Sequence, residues 1–204
     1  MENFKVLKPF GPSIIKIKMS NEMIEEINHY VDAVILDEQK FKKLDQGHKL
    51  IGKVRQEFLM EVDFMKKIKW AEFLASNVSN WVKEELKREI KNFELIESWV
   101  VRQFKNDYNP VHWHTGDISG VGYLKVPSNL GNTSQPDKKT NENGKLQLIF
   151  GSPNLFSKST FLVKPELGDF YLFPNYLMHT VYPFTGTDEE RRSVSFNAKL
   201  QFAY

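Results

Sequence analysis

The chain has 204 residues, 41% hydrophobic and 26% charged, with 28 Lys and Arg against 26 Asp and Glu and no Cys. This length suits a single domain, 1–204, with its own core, and the absence of Cys excludes a disulfide scaffold, thiolate zinc or iron–sulfur sites and a Cys nucleophile. A net charge of +2 leaves no footprint for nucleic acid, and any metal site has to be built from His and carboxylates.

The N-terminus, Met1 to Val6, lacks the apolar run of a signal peptide, and no run of about 18 apolar residues suggests a membrane span. A cytoplasmic protein is expected. Ser13 to Met19 is rich in β-branched residues and reads as a strand. Ser20 or Asn21 then caps a helix with Glu22, Glu25 and Glu26 near its positive end. Ile24, Ile27, Val31 and Val34/Ile35 form its buried stripe. A second helix is expected from near Asp63 to about Ile90, with Ile68, Ala71, Leu74, Val78, Trp81/Val82 and Leu86 on one face. Both stripes suit packing on a sheet, so residues 1–92 read as a helix-rich part lying on a barrel.

From about residue 93 the period becomes strand-like. Candidate strands are 96–104, 120–126, 146–150, 160–163, 169–173 and 193–202. The fold class is therefore mostly β with N-terminal helices (α+β), a sandwich or jelly-roll barrel whose core is 93–204. Residues 128–144 form a long polar loop, either mobile or a lid.

Of five histidines, His29 falls on the first helix and His48 in a polar loop. His112-Trp113-His114 has period-two spacing, which on a strand turns both imidazoles to one face, half of a metal site or a solvated pair. His179 follows the nearly all-apolar run Asp169 to Phe173 and a short loop, and reads as a third ligand or a core histidine bonded to backbone. On the last strand Val194, Phe196, Ala198, Leu200 and Phe202 share one face, and Arg191, Ser193, Ser195 and Asn197 the other. If helices cover the apolar face, Arg191 points into the barrel, where its fork suits a carboxylate. Otherwise it lies on an exposed face and pairs with Glu189 or Glu190.

These segments together resemble the 2-oxoglutarate/Fe(II)-dependent oxygenases, and most closely a family of such enzymes from marine bacteria and their phages. The resemblance is carried by His112-Trp113-His114 with Ser119-Gly120-Val121-Gly122-Tyr123, by Gly168 to Pro174 leading to His179, and by Arg191 to Asn197. It implies a double-stranded β-helix with helices on its larger sheet. It implies Fe(II), 2-oxoglutarate and O2 as cofactors, with hydroxylation of a substrate C–H bond and release of succinate and CO2. Carried over residue by residue, His112 and His179 match the outer iron ligands, and Arg191 with Ser193 matches the pair that binds the far carboxylate of 2-oxoglutarate. Tyr123 is a further candidate for that carboxylate, and Arg192 replaces Arg191 if the parity is reversed.

His114 occupies the position that in the wider superfamily is Asp or Glu. The ligands are then His112, His114 and His179, or His114 and His179 with Asp117 or a water. No catalytic group is expected beyond the metal ligands, while Trp113, Phe173, Tyr176 and Asn197 are candidates for the pocket wall. The substrate is unread: a small metabolite, an amino acid or a peptide side chain. Two other classes fit the residues, a three-histidine cupin-like metal enzyme without 2-oxoglutarate and a non-catalytic jelly-roll binding or virion protein.

Overall fold

The structure is a computed structural model that describes residues 4–7, 11–47, 52–133, 137–155 and 157–203; His48 lies outside them. In chain order the elements are β1 (Phe4–Leu7), β2 (Ile14–Lys18), α1 (Asn21–Leu36), α2 (Glu38–Leu44), β3 (Gln56–Leu59), α3 (Val62–Lys67), α4 (Trp70–Leu86), β4 (Ile90–Gln103), β5 (Asn109–His112), β6 (Ile118–Lys125), β7 (Leu146–Ile149), β8 (Thr160–Val163), β9 (Asp169–Pro174), β10 (Met178–Val181) and β11 (Arg191–Phe202). A seven-stranded sheet runs β1-β2-β9-β6-β11-β4-β3 and a four-stranded sheet runs β5-β10-β7-β8. All the pairings are antiparallel. This is the expected mostly-β jelly roll, a double-stranded β-helix. Among the described residues no helix is long and apolar enough to cross a membrane.

Strand parity separates two interiors. Ile15, Ile17, Val100, Leu124, Phe170, Leu172, Val194, Phe196 and Ala198 face the helices and pack on Ile24, Ile27, Val31, Leu74, Val78 and Trp81. The other parity puts Tyr123 and Phe173 of the large sheet against Leu146 and Leu148 of the small one. Two glycines of β6 make the helix-side packing possible. A Cβ on Gly122 would lie 2.1 Å from the Phe170 ring, and one on Gly120 would lie 2.7 Å from Phe196.

The N-terminal elements follow their local chemistry. Ser20 caps α1 by accepting from the Met23 N–H, and the expected stripe is buried at Ile24, Ile27, Val31 and Val34. Asp37 ends α1 and caps α2 through the N–H groups of Gln39 and Lys40. The single helix expected over 63–90 is instead two, broken at Lys69, whose φ of 52° is left-handed. Ile68 and Trp70 are both buried, yet positions two apart lie about 200° apart around a straight helix. The break lets both point inward, and the Trp70 indole N–H donates to Ser98 Oγ at 3.0 Å. Residues 90–103 are one long strand, so Ile90 begins β4 rather than ending a helix. The first part of the chain is also less purely helical than its pattern suggests, since β1 and β3 join β2 in the large sheet.

One ion cluster ties α1 to the barrel. Arg192, fully buried, donates from Nε to Glu190 at 2.7 Å, from Nη1 to the Asn28 carbonyl at 3.0 Å and from Nη2 to Asp32 at 2.6 Å. Arg102 holds the same Glu190 at 2.7 Å. Burial alone would push the Glu190 carboxyl up, but the hydrogen bonds and charges of Arg102 and Arg192 outweigh it and hold it at about 2. A depressed carboxylate stabilises the fold above its unfolded value of about 4.5 and loses that contribution as pH falls through about 2. Glu190→Gln is therefore expected to cost about 3 kcal/mol at pH 7, with the gap to the parent closing between pH 4.5 and 2 in urea unfolding curves.

Candidate metal centre

Three imidazoles meet between the sheets. His112 ends β5 and His179 lies on β10, directly opposite it in the register. His114 follows two residues beyond β5, where the backbone has left the sheet, and its peptide is clamped by Asn175: His114 N–H donates to the Asn175 carbonyl at 3.2 Å and Asn175 Nδ2 to the His114 carbonyl at 3.1 Å. The turn between β9 and β10 thus does what strand pairing no longer can. Ring centroids lie 4.2 Å apart for His112 and His179, 4.9 Å for His114 and His179, and 5.1 Å for His112 and His114. One ring nitrogen from each lies within 4.8 Å of the others.

Their protonation suits a cation. His112 Nδ1 meets the Pro110 carbonyl at 2.7 Å, and His179 Nδ1 meets the Leu177 carbonyl at 2.9 Å. A carbonyl only accepts, so each Nδ1 carries the proton and each Nε2 keeps a lone pair. Burial lowers all three from their ordinary value. His114 is pushed down to about 4 by burial and then by His112, and His179 to about 3 by burial and its two neighbours. At neutral pH the cluster is three uncharged nitrogen donors, the donor set a first-row divalent metal takes.

The imidazoles line a cavity of about 450 Å³. Its large-sheet wall comes from Glu97, Trp99, Val101 and Gln103 of β4, Val121 and Tyr123 of β6, Phe173 of β9 and Arg191, Ser193 and Ser195 of β11. Arg191 is 2% exposed. Its Nη1 donates to the Gly144 carbonyl at 2.6 Å, its Nη2 to Gln103 Oε1, and its Nε has no partner. Among the described residues no carboxylate pairs with it. The Tyr123 hydroxyl, with the Arg191 guanidinium 5.9 Å from its ring, is also buried without a partner. A buried cation beside an orphaned hydroxyl donor is a site short of an anion.

The other sequence candidates are placed as follows. Asp117 is exposed, and its Oδ2 accepts from the Leu200 N–H at 2.8 Å; it stands apart from the imidazoles because the Thr115-Gly116 turn carries it to the end of β11. Arg192 is on the opposite face of β11 from Arg191, against α1. Phe173 stacks edge-on to His179 with centroids 5.2 Å apart. Trp113 and Tyr176, 67% and 55% exposed, lie outside the cavity lining, each on the solvent side of its turn. Asn197 sits behind the wall, accepting from Ser119 Oγ at 2.7 Å and donating to Glu97 Oε1 at 2.9 Å. The 128–144 loop ends on Gly144, which holds Arg191, while its residues 134–136 lie outside the described part. Among the lining residues not foreseen are Trp99, whose ring is 5.4 Å from that of His114, Gln103 and Glu57. The first two share the parity of Glu97 on a strand that was legible; Glu57 lies on β3, which was not.

Residues 97–197 match the family model described as "Putative 2OG-Fe(II) oxygenase". No curated protein matches the sequence. Among solved structures the fold is similar to a Pseudomonas putida prolyl-4-hydroxylase, with TM-score 0.59 and 12% identity over 98% of this chain and 93% of that one. It is also similar to the viral collagen prolyl hydroxylase of Paramecium Bursaria Chlorella virus-1 in its 2-oxoglutarate complex (TM-score 0.52, 12% identity, 97% and 96% covered). HygX from Streptomyces hygroscopicus, crystallised with nickel and 2-oxoglutarate, matches with TM-score 0.55 and 12% identity over 91% of this chain and 82% of that one.

Proposed function

We infer that a chain whose residues 97–197 match the 2OG-Fe(II) oxygenases, and whose barrel joins three neutral imidazoles to a buried, unpaired arginine, is itself an Fe(II)- and 2-oxoglutarate-dependent oxygenase. His112, His114 and His179 would hold the metal, and Arg191, Ser193 and Tyr123 would hold the cosubstrate. Together Fe(II) and 2-oxoglutarate supply the O2-dependent chemistry in which the cosubstrate is cleaved to succinate and CO2 and a substrate C–H bond is hydroxylated.

The chain's own groups do the positioning. The carbonyls of Pro110 and Leu177 fix two imidazoles in the tautomer that leaves Nε2 free. Gln103 and Gly144 aim the Arg191 fork into the cavity, and that charge binds the far carboxylate of the cosubstrate while the Tyr123 hydroxyl donates to it. Val121, two residues from Tyr123 on β6, and Leu146, two residues from Gly144, add apolar side chains to the lining near the pair, where water competes less. Three histidines without a carboxylate leave the centre one charge more positive than a two-histidine, one-acid site. The substrate is a small metabolite or an amino-acid or peptide side chain, and the reducing cytoplasm suits a cysteine-free ferrous enzyme.

The observation that carries this reading is the orphaned Arg191–Tyr123 pair in the same cavity as the three imidazoles. It favours an oxygenase over a cupin-like enzyme without 2-oxoglutarate, which need not bind a dicarboxylate. Anaerobic protein loaded with Fe(II) is expected to gain a visible absorption band with 2-oxoglutarate, and on admitting O2 to form succinate. Metal binding without either response would overturn it. Tyr123→Phe removes a buried hydroxyl that lacks a partner. It is expected to leave the ligand-free fold at least as stable in thermal unfolding while weakening 2-oxoglutarate about tenfold in titrations of that band.

A further inference from the structure

The cavity has a second charged pole that the cosubstrate does not use. Glu57 on β3 is 9% exposed and lines the cavity. It pairs with Val101 in the register, which puts it on the same inward parity as Glu97, Trp99 and Gln103. Among the described residues no donor and no cation meets its carboxylate. Such a group is costly to bury unpaired, more so beside other acids, and structural carboxylates of this barrel show the ordinary solution: Glu190 has Arg102 and Arg192, and Asp169 has Lys16 and Lys18.

Glu97 stands on the same wall. It is two residues from Trp99 on the same face of β4, hence about 6.6 Å further along the strand. Buried Asn197, itself fixed by Ser119, donates to Glu97 Oε1 and so orients the carboxylate from behind. Gln46 adds a neutral polar group to the lining. Among the described residues no ion pair joins Arg191 to either acid; its partners are Gly144 and Gln103. One cavity therefore carries a buried cation on β11 and a buried anion on β3, two strands away and unpaired.

We propose that Glu57, assisted by Glu97, is the recognition site for a positively charged group on the substrate, a protonated amine or a guanidinium. The word substrate rests on the oxygenase reading; the cation site itself does not. The arrangement sorts the two ligands by charge, the dianionic cosubstrate to Arg191 and a cationic molecule to Glu57, and rejects a second anion from the acid wall. Burial first, then the charges of Glu97 and Asp45, push the Glu57 carboxyl up to about 7, so a bound cation also restores it to the charged form.

The test uses metal-free protein and three probes built on one butyl chain, n-butylamine, n-butylguanidine and 1-butanol, followed by ligand-observed NMR at pH 7.5. The two cations are expected to bind about tenfold more tightly than the alcohol. Glu57→Gln is expected to abolish that preference, and Glu94→Gln, an exposed acid outside the cavity lining, to leave it intact. In the unaltered protein the carbon-13 titration midpoint of the Glu57 carboxyl is expected to fall by about one unit with saturating butylamine, a readout that needs no variant to fold. Cations that bind no better than the alcohol, or not at all, or a midpoint that stays put, would overturn the proposal. Failure of the oxygenase reading is seen separately, as the missing band of the iron-loaded protein with 2-oxoglutarate.

Discussion

His179→Ala is expected to lose Fe(II) binding by more than about a hundredfold and succinate formation entirely, while the far-ultraviolet circular dichroism stays that of the parent. His179 is the least exposed of the three imidazoles, at 5%, and its ring centroid is within 5 Å of both others. Its Nδ1–H is already spent on the Leu177 carbonyl, so the group that remains is a single aimed lone pair, and among the described residues no further His, Asp or Glu joins the three in one cluster. Two imidazoles, one at the end of β5 and one beyond it, are then left to hold the metal. Even loss of an outer-sphere partner commonly costs 10- to 100-fold in affinity, about the lower bound for loss of a ligand. Competition with a chromophoric chelator measures the affinity, and His179→Gln, which keeps most of the volume, guards against a packing artefact. Asp117→Ala is expected to keep the metal, because that carboxylate serves the Leu200 N–H. Metal loss in Asp117→Ala with retention in His179→Ala would overturn the assignment.

Arg191→Met is expected to bind Fe(II) normally and to lose affinity for 2-oxoglutarate by about a hundredfold or more. Removing one partner of a desolvated charge pair costs about 2–5 kcal/mol. The same change takes an uncompensated charge out of the interior, so the ligand-free fold is not expected to suffer. The neighbouring Arg192→Met should behave in the opposite way. It takes from Glu190 one of its two arginines and from Asp32 its nearer cation, and so lowers the denaturation midpoint while folded protein binds the cosubstrate as before. Titration of the anaerobic iron complex and urea unfolding, run on both variants, separate the roles. A swapped pattern would mean that the inward face of β11 has been misassigned.

That contrast was legible in the sequence because strand parity needs no knowledge of partners. Once Val194, Phe196 and Ala198 are recognised as one face, Arg191 and Ser193 have to take the other. The α1 stripe was legible for the same reason. What escaped depends on where regular structure stops. The period-two spacing of His112 and His114 brings them together, but through the Asn175 clamp rather than a continuous strand. Trp113 and Tyr176 have the composition of pocket aromatics and lie on the outer side of turns, whose direction residue type does not encode. The helix break at Lys69 follows from burying both Ile68 and Trp70, a tertiary demand invisible to a stripe that omits Trp70. Glu57 is silent alone; it acquires meaning only when β3 pairs with β4 and turns it inward.

The strand order also bears on how the molecule is made. β2 pairs with β9, at Ile15 with Leu172, and β4 and β6 are joined only through β11, the last strand. As the chain emerges from the ribosome its helices can form early, but the sheet they cover has no centre until the residues after Arg191 are out. His112 likewise waits for His179 on a strand that comes nearly seventy residues later. Contacts this distant in sequence make for slow folding, and they leave the apolar faces of α1 and α4 in search of a partner throughout synthesis. A nascent chain stopped before β11 should therefore depend on chaperones and, though it already carries all three imidazoles, hold metal less well than one extended through Phe202.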